Sequence, residues 1–344
     1  MKIGLFFVLA GIFGVAMADE KVHSFQLKNG VIQAEITADI GGRLLSFSLA
    51  NKPNFLKIGE AVVANPNPIA NSEADAIGYL GHEMWVGPQS QWWSQQTINS
   101  SRAAAKAEWP PDPYLALAKN KILENSPKKI VLQSPESPVS GLKVTKSFSF
   151  APNKKNSIEL KVTAKNIRKE SVAWDVWFNT RVSAATRVYV PVANEKDVRI
   201  KLFEDTVQNA FVPRIQQKIF SLDLMALSAN KNAGKVKLMI QPTAGWMAGF
   251  HDEQAFIVQF PHQPLLAIHP EQGQVELYFD YVPNQVRDGL IEMEVHTPYK
   301  NLLPGEEMVG NELWTILPYT GAPTYDAQVA FLREQAKILG LNGL

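Results

Sequence analysis

The chain has 344 residues, with 34 basic and 33 acidic side chains, eight tryptophans and no cysteine. A net charge this close to zero argues against a nucleic-acid-binding protein, because such proteins usually carry a strongly basic face. The lack of cysteine excludes disulfides and thiolate metal sites, so the fold must be stabilised by an ordinary hydrophobic core.

The first eighteen residues have the pattern of a secretory signal. A lysine is followed by an apolar run, Ile3–Val15, and by an Ala-x-Ala pattern that ends at Ala18. The run is shorter than the ~20 residues that a membrane-spanning helix needs, which favours cleavage after Ala18 over a membrane anchor. We therefore expect residues 19–344 to form a single mature domain, periplasmic or secreted, with no membrane insertion once the signal is removed.

Alternation of apolar and polar residues dominates the rest of the chain and predicts strands with one buried face. Turn-rich links such as "APNKKN" and "PEQGQ" separate these segments and favour antiparallel pairing. The predicted strands include Val31–Thr37, Leu142–Phe150, Ser157–Asn166, Val172–Val182, Lys235–Ile240, Val275–Val282 and Leu290–Thr297. The tail "TYDAQVAFLREQAKILGL" has helical spacing. The pattern predicts an all-β protein, a large β-sandwich with a short C-terminal helix. Two sequential β-domains are the alternative.

Two segments combine tryptophan with loop-like composition. They are "GYLGHEMWVGPQSQWW", residues 78–93, and "WPPDP", residues 109–113, and neither matches a helix or strand period. We expect loops over a ligand cleft, in which the rings act as stacking platforms and the polar groups donate or accept hydrogen bonds. The alternative is that the rings plug one end of the sandwich, and Trp85 is the ring most expected to be core. The candidate rings are Trp85, Trp93 and Trp109, and the candidate polar groups are His82, Gln89 and Asp112.

The predicted strand "VAWDVWFNTRV" divides into two faces. Its valines, Trp174 and Phe178 suit a core, whereas the other face suits a ligand site because it joins one large ring to several polar groups. That second face consists of Asp175, Trp177, Asn179 and Arg181. A structural ion pair between Asp175 and Arg181, or another partner, is an equally open interpretation.

The predicted strand "LIEMEVHT" carries three ionisable groups on one face. Successive strand residues point to opposite sides, so Glu292, Glu294 and His296 share a side. This pattern is typical of an acid–base cluster, and equally of a solvent-exposed strand face.

Motifs near both ends of the chain together resemble the galactose mutarotase-like superfamily. The segment "ITADIGGRLLSFSL" has a Gly-Gly turn at Gly41 and Gly42, and "LIEMEVHTPYKNLLPGEEMVGNELWTI" has a glutamate strand before the Pro-Gly-Glu turn at Pro304–Glu306. Aldose 1-epimerases of this superfamily share both features. The resemblance implies a β-supersandwich of galactose mutarotase-like type, with a sugar cleft on one sheet.

The resemblance also implies roles for particular residues. In the epimerases a glutamate takes the proton from the anomeric hydroxyl while a histidine protonates the ring oxygen. Glu294, followed by Glu292, matches the glutamate, but Asp175 stands about where the histidine would be. An aspartate donates a proton only if its pKa is strongly raised, so His82 or His296 would have to substitute. Arg43, after the Gly-Gly turn, faces the cleft or pairs on its rim.

Three functions follow as hypotheses. The first is an exported carbohydrate-binding protein, and the second is a mutarotase or epimerase with Glu294 as base and His82 as acid. The third is an envelope assembly or docking protein that uses an aromatic surface. The histidines lack HExxH spacing and there is no phosphate-binding glycine loop, so the sequence predicts no metal and no cofactor. The expected partner is a mono- or oligosaccharide.

Overall fold

The structure is a computed structural model that describes residues 21–203, 213–227, 235–280 and 289–344. The predicted signal, residues 1–18, lies outside the described residues, as do the last two residues of the predicted strand Val275–Val282. No helix within the described ranges is long and apolar enough to cross a membrane.

The described strands, numbered in chain order, form two antiparallel sheets of ten strands each. In the first sheet the order is β1 (Ser24–Lys28), β2 (Ile32–Thr37), β3 (Arg43–Leu49), β4 (His82–Gly87), β9 (Val172–Ser183), β18 (Leu290–His296), β17 (Val275–Asp280), β14 (Lys235–Ile240) and β11 (Val198–Leu202), and β19 (Lys300–Leu302) pairs with β9.

The second sheet contains the remaining strands. Its order is β12 (Arg214–Gln216), β13 (Ile219–Leu222), β10 (Arg187–Pro191), β15 (Trp246–His251), β16 (Gln254–Gln259), β20 (Glu307–Pro318), β8 (Ser157–Asn166), β7 (Leu142–Phe150), β6 (Lys129–Gln133) and β5 (Lys121–Ser126). The helices are α1 (Ala61–Ala64), α2 (Ser100–Ala104), α3 (Pro113–Ala116), α4 (Leu224–Leu227) and α5 (Tyr325–Leu339), with 3-10 turns at Gln89–Gln91, Glu195–Asp197 and Leu265–Ala267.

Alternating apolar residues of both sheets build the core between them. Along β8, Ile158, Leu160 and Val162 are buried, while Glu159 and Lys161 between them are exposed. The exposed face therefore carries the charge, as the alternation predicts. The predicted all-β sandwich is confirmed.

The predicted C-terminal helix is confirmed as α5. Thr324 caps its start by accepting a hydrogen bond from the backbone N–H of Ala327, and Gly340 ends it in the left-handed conformation. Val329 and Leu332 are buried in a second apolar cluster with Trp246. The helix therefore covers apolar residues of the second sheet outside the main core.

The Gly-Gly turn before β3 requires glycine for two reasons. Gly41 and Gly42 both have φ of +64°, and a Cβ on Gly41 would lie 2.3 Å from the carbonyl oxygen of Ala116. A side chain on Gly41 would be strained by the left-handed backbone conformation and would clash with the Ala116 carbonyl oxygen. The turn brings α3 against the start of β3, where Arg43 lies.

One buried carboxyl of the core has no charged partner. Glu312 lies on the inner face of β20 and accepts a hydrogen bond from Nε1 of Trp314 at 2.8 Å. Its Oε1 has no hydrogen-bond partner among the described residues. Burial raises the pKa of Glu312 from 4.5 to about 8, because a buried site disfavours the charged carboxylate.

This raised pKa predicts how stability depends on pH. As pH rises, the unfolded chain loses the Glu312 proton near pH 4.5, whereas the folded protein keeps it until about pH 8. The contribution of Glu312 to the free energy of unfolding is therefore complete below about pH 4.5 and is lost as pH rises through about 8. Glu312→Gln stays neutral, so above pH 8 we expect the variant to be more stable than the wild type by on the order of 2 kcal/mol. Guanidinium unfolding of both proteins over a pH series measures this difference. Parallel pH profiles would contradict it.

Candidate functional site

Polar and aromatic side chains lie in three rows on one face of the first sheet. The register of five neighbouring strands places them there, in the order β4, β9, β18, β17 and β14. Intervening residues such as Met84, Phe178 and Met293 point to the opposite side, into the core. The rows are Trp85–Trp177–His296, Glu83–Asn179–Glu294–Glu276 and Arg181–Glu292–Tyr278–Lys237. Residues from five separated stretches of sequence are therefore neighbours.

A cavity of about 220 Å³ lies on this face, and we call it the central cavity. Its floor is formed by residues of the sheet, and its rim by loop residues that include Gln89, Trp109 and Phe203. The floor residues are Trp85, Trp177, Lys237, Tyr278, Glu292 and Glu294. Aromatic faces and paired charges therefore line the same small volume.

Lys237 is the cation at the centre of the floor. Its Nζ lies 2.6 Å from Oε2 of Glu276, 3.0 Å from Oε2 of Glu294 and 4.4 Å from the ring centroid of Trp177. Burial alone would lower the pKa of Lys237, but the two carboxylates outweigh burial and raise it above its usual range. Lys237 is thus held as an ammonium ion.

Glu294 is fully buried at the bottom of the central cavity. The side-chain amide of Asn179 donates a hydrogen bond to its Oε1 at 2.9 Å, which fixes the carboxyl group. Burial raises the pKa of Glu294 above its usual range, and Glu292 and Glu276 add to the rise against the opposing effect of Lys237. A carboxyl group so placed can exchange a proton closer to neutral pH than an exposed glutamate.

His296 packs beside Trp177 and does not line the central cavity. Its ring lies 4.8 Å from that of Trp177 and is fully buried. Its Nδ1 is 3.3 Å from Asp175, and its Nε2 is 3.5 Å from Glu276. Burial would lower the pKa of His296, but these carboxylates raise it to about 9. Both predicted site residues, Asp175 and His296, thus form a buried pair outside the lining of the central cavity.

Glu276, Glu294 and His296 also form a set that could hold a metal ion, since one ligand atom from each lies within 4.8 Å of the others. The Lys237 ammonium contacts both of these carboxylates. It supplies the positive charge that a metal ion would otherwise bring, so the donor set does not favour a metal.

An alternating chain of charges borders the central cavity on one side. Arg43 pairs with Glu83 at 2.6 Å, Arg181 pairs with the other oxygen of Glu83, and Nε of Arg181 lies 2.8 Å from Glu292. Burial by itself would raise the pKa of Glu83, but the two arginines lower it to about 2. The chain of charges is therefore fully ionised and internally neutralised.

Two smaller cavities adjoin the central one. The arginine-side cavity, about 200 Å³, is lined by Arg43, Glu83, Arg181 and residues 75–78, and it shares Trp85, Trp109 and Glu292 with the central cavity. The lysine-side cavity, about 210 Å³, is lined by Lys201, Glu271, Gln272 and Glu276, and it shares Gln89, Trp177 and Lys237.

A larger cavity of about 610 Å³ lies elsewhere, beside the end of α5. Two of its lining side chains bind the protein's own backbone: Trp246 donates to the carbonyl oxygen of Asn342, and Gln259 to that of Leu339. These hydrogen bonds attach the C-terminal segment to the second sheet. We place the candidate site in the central cavity, where titratable groups converge.

Tryptophan rings pack against one another around the central cavity. The centroids of Trp85 and Trp177 are 5.0 Å apart, Trp92 stacks on Trp177 at 5.7 Å, and Trp109 lies 6.0 Å from Trp85. Trp109 is 53% exposed, whereas the other three rings are 5% exposed or less. Trp109 is therefore the ring that a ligand can reach most easily.

Trp93 does not lie in the cavity. Its ring has no exposed surface, its Nε1 donates to the carbonyl oxygen of Pro110 at 2.7 Å, and the guanidinium of Arg102 lies 4.5 Å from the ring centroid. The prediction of Trp93 as a stacking platform is wrong, because the ring anchors the proline-rich loop. Trp85, expected to be core, is buried yet lines the cavity.

His82 lies on the wrong face of the sheet for the predicted role. Its ring stacks on Phe178 and meets Trp314 edge-on, and its Nδ1 is 2.9 Å from Oγ1 of Thr180. Burial holds the pKa of His82 well below its usual range. Residues 82–87 form β4 rather than a loop, so alternation sends Glu83 and Trp85 to the cavity and His82 to the core.

Asp112 is also structural. It caps α3 by accepting from the backbone N–H of Tyr114 at 2.9 Å, and its other oxygen accepts from Ser137. Both of its oxygens are held by the protein and it lines none of the cavities on this face, so it cannot bind a hydroxyl in the cavity as predicted. Gln89 does line the cavity, and its amide donates to the carbonyl oxygen of Glu108 at 2.7 Å.

Sequence reasoning missed several residues that line the central cavity or the two cavities beside it. Lys237, Glu276 and Tyr278 lie on strands that were predicted, and Glu83 lies beside a predicted residue. The polar positions of "KVKLMI" and "VELYFDY" were visible as one face of each strand. Their register with Glu294 was not, and it is this register that brings them together.

Comparisons with known proteins agree with this fold. The chain matches the family model described as "Domain of unknown function (DUF4380)" over residues 22–317. No curated protein matches it.

Three solved structures are similar to the chain. One is a putative aldose 1-epimerase from Escherichia coli K12, at 12% identity and a TM-score of 0.54, covering 86% of this chain and 99% of that one. Another is a galactose mutarotase-like protein from Lactobacillus casei, at 11% identity and a TM-score of 0.56, covering 86% of this chain and 100% of that one. The third is a GalM/aldose epimerase homologue from Caenorhabditis elegans, at 10% identity and a TM-score of 0.51, covering 87% of this chain and 100% of that one.

Identities this low support the shared fold and no more. The chain has the galactose mutarotase-like fold. Since the family model covers most of its length, the chain belongs to the DUF4380 family.

Proposed function

We propose that this protein is an exported carbohydrate-binding protein that holds a sugar in the central cavity. The observation that carries the proposal is the lining of that cavity, where three tryptophans and Tyr278 meet Lys237, Glu292 and Glu294. Aromatic faces stack on the C–H faces of a sugar ring, and a few convergent polar groups orient its hydroxyls. The galactose mutarotase-like fold is consistent with this ligand class.

The polar groups of the floor are ordered before any ligand arrives. Asn179 and Lys237 fix Glu294, and Arg181 fixes Glu292. A ligand therefore meets side chains that need little further ordering, which reduces the entropic cost of binding. This favours recognition of a specific arrangement of hydroxyls.

The site suits binding better than turnover. Anomer exchange needs an acid as well as a base, each with a pKa near the working pH. His82 lies in the core, and His296 is fully buried and does not line the central cavity. Lys237 contacts Glu294, but its raised pKa makes it a weak proton donor.

A mutarotase or epimerase is the second candidate, favoured by the contact between Glu294 and Lys237. In such a reaction the Glu294 carboxylate would take the proton of the anomeric hydroxyl. The bond from the anomeric carbon to the ring oxygen would break, and that oxygen would take a proton from Lys237. Rotation about the C1–C2 bond and reversal of the steps would give the other anomer.

A docking surface for another protein is less consistent with the geometry. Exposed, contiguous apolar patches mark such surfaces. Here Trp85, Trp92 and Trp177 are 5% exposed or less, so most of the aromatic area is packed against other side chains and is not on the surface.

Trp109→Ala tests the proposal at the exposed ring. Loss of one stacking face should weaken sugar binding by about 1–2 kcal/mol, or roughly five- to thirtyfold. Because Trp109 is half exposed, the free energy of unfolding should fall by less than about 1 kcal/mol. Titration calorimetry on a sugar panel and guanidinium unfolding measure the two effects. Unchanged affinity would count against stacking at Trp109.

Trp93→Ala is the matched control. It removes an equally large ring that is fully buried and does not line the cavity. We expect a loss of about 3–5 kcal/mol in unfolding free energy, from the emptied space and the broken hydrogen bond. If this variant kept full stability but lost sugar binding, Trp93 and not Trp109 would be the platform.

Anomer exchange distinguishes the two leading functions. NMR exchange spectroscopy on the same sugars should show binding shifts without faster exchange between anomers. Acceleration that disappears in Glu294→Gln would instead establish the epimerase reaction. Acceleration that survives this substitution would exclude Glu294 as the base.

Export is tested directly on the first eighteen residues. When the full chain is expressed in a Gram-negative host, we expect it in the periplasmic fraction, with Asp19 at its N-terminus. Edman sequencing or mass spectrometry reads that terminus. A cytoplasmic chain that retains residues 1–18 would refute export.

A further inference from the structure

The central cavity is the middle part of a longer groove. It shares three lining residues with the arginine-side cavity, and three others with the lysine-side cavity. The shared residues lie at the boundaries: Trp109 stands between the first two spaces, and Lys237 between the second two. The three cavities therefore follow one another across the strands of the sheet.

Size argues that one ligand uses more than one of them. Each cavity measures only about 200–220 Å³. Pockets that enclose a whole small molecule typically span ~300–1,000 Å³, a range that no single one of the three reaches but that neighbouring cavities reach together.

Both ends of the groove carry exposed residues. The side chain of Asp75, in the arginine-side cavity, is 87% exposed. Glu108, Lys201 and Glu271, in the lysine-side cavity, are exposed as well. A chain-like ligand can thus continue past either end.

The charges of the groove select against an anionic ligand. Each buried cation that lines the groove, Arg43, Arg181 or Lys237, contacts a carboxylate in the ion pairs described above. The ends add the acidic Asp75, Glu108 and Glu271 but only one basic residue, Lys201. An excess of negative charge among the described lining residues repels uronate or sulfate groups.

We infer that the groove binds a neutral oligosaccharide, with consecutive sugar units in neighbouring cavities and one unit beside Trp109. This inference rests on the proposed carbohydrate binding and adds the length and charge of the ligand. Stacking in the central cavity anchors the chain, and polar contacts at the two sides extend the interaction.

A length series tests the inference. The full mature chain is titrated with neutral gluco-, xylo- and galacto-oligosaccharides of one to four units, followed by tryptophan fluorescence and calorimetry. We expect the trisaccharide of the recognised sugar to bind roughly tenfold or more tightly than its monosaccharide. A monosaccharide that binds as tightly as its trisaccharide overturns the inference and leaves carbohydrate binding intact.

Gly78→Phe tests the arginine-side cavity. Gly78 lines that cavity, is exposed, and has no atom within 4 Å of an added Cβ, so the ring enters open space. The gain in affinity from monosaccharide to trisaccharide should shrink at least severalfold. Val63→Phe, at an 86% exposed position on α1 outside the three cavities, is the matched control and should keep the full gain.

Two further outcomes are decisive. Tighter binding of a uronic-acid or sulfated chain than of its neutral counterpart overturns the charge argument. If no saccharide of any length or charge binds to the folded protein, the proposed function fails, and the inference fails with it.

Discussion

The candidate site depends on pairing charges that the sheet buries. Lys237 reaches both Glu276 and Glu294, and the arginines at the other side share Glu83 in the same way. An ionised group in a low-dielectric environment is costly unless it is paired and hydrogen-bonded, and breaking one partner leaves an uncompensated charge. The floor can therefore carry ionised side chains only because every row of the register supplies a partner. This constraint makes the floor rigid as well as polar.

The aromatic rings complete the same arrangement. Trp177 packs against both the Lys237 ammonium and the His296 ring, and these two groups approach the same carboxylate oxygen of Glu276. Trp85 and Trp92 pack against Trp177, and only Trp109 extends well into solvent. The loops thus contribute one accessible ring to a floor that is otherwise set by strands. Rigid elements hold binding groups more accurately than loops do, which suits recognition of a defined hydroxyl pattern.

Strand alternation predicted most of the fold and part of the site. It placed Trp177, Asn179 and Arg181 on one face, and Glu292 with Glu294 on another, and these faces meet in the structure. It failed at residues 82–87, where glycines and tryptophans suggested a loop and concealed β4. Because of this wrong assignment, His82 was predicted to line the cavity, whereas it lies in the core. Trp93 and Asp112 were misplaced because a ring or carboxylate in a loop can serve that loop's own packing as readily as a ligand.

The sequence by itself determined the all-β class, the C-terminal helix and the set of polar strand faces, because these follow from local periodicity and turn chemistry. The resemblance at the Gly-Gly and Pro-Gly-Glu turns correctly indicated the galactose mutarotase-like fold. Only the tertiary structure decided that Lys237 meets Glu294, that Arg181 pairs with Glu83 and Glu292 rather than Asp175, and that His82 is sealed in the core. The physical reason is register: contacts across strands join residues far apart in the chain, and a shift of one residue would turn every side chain to the opposite face.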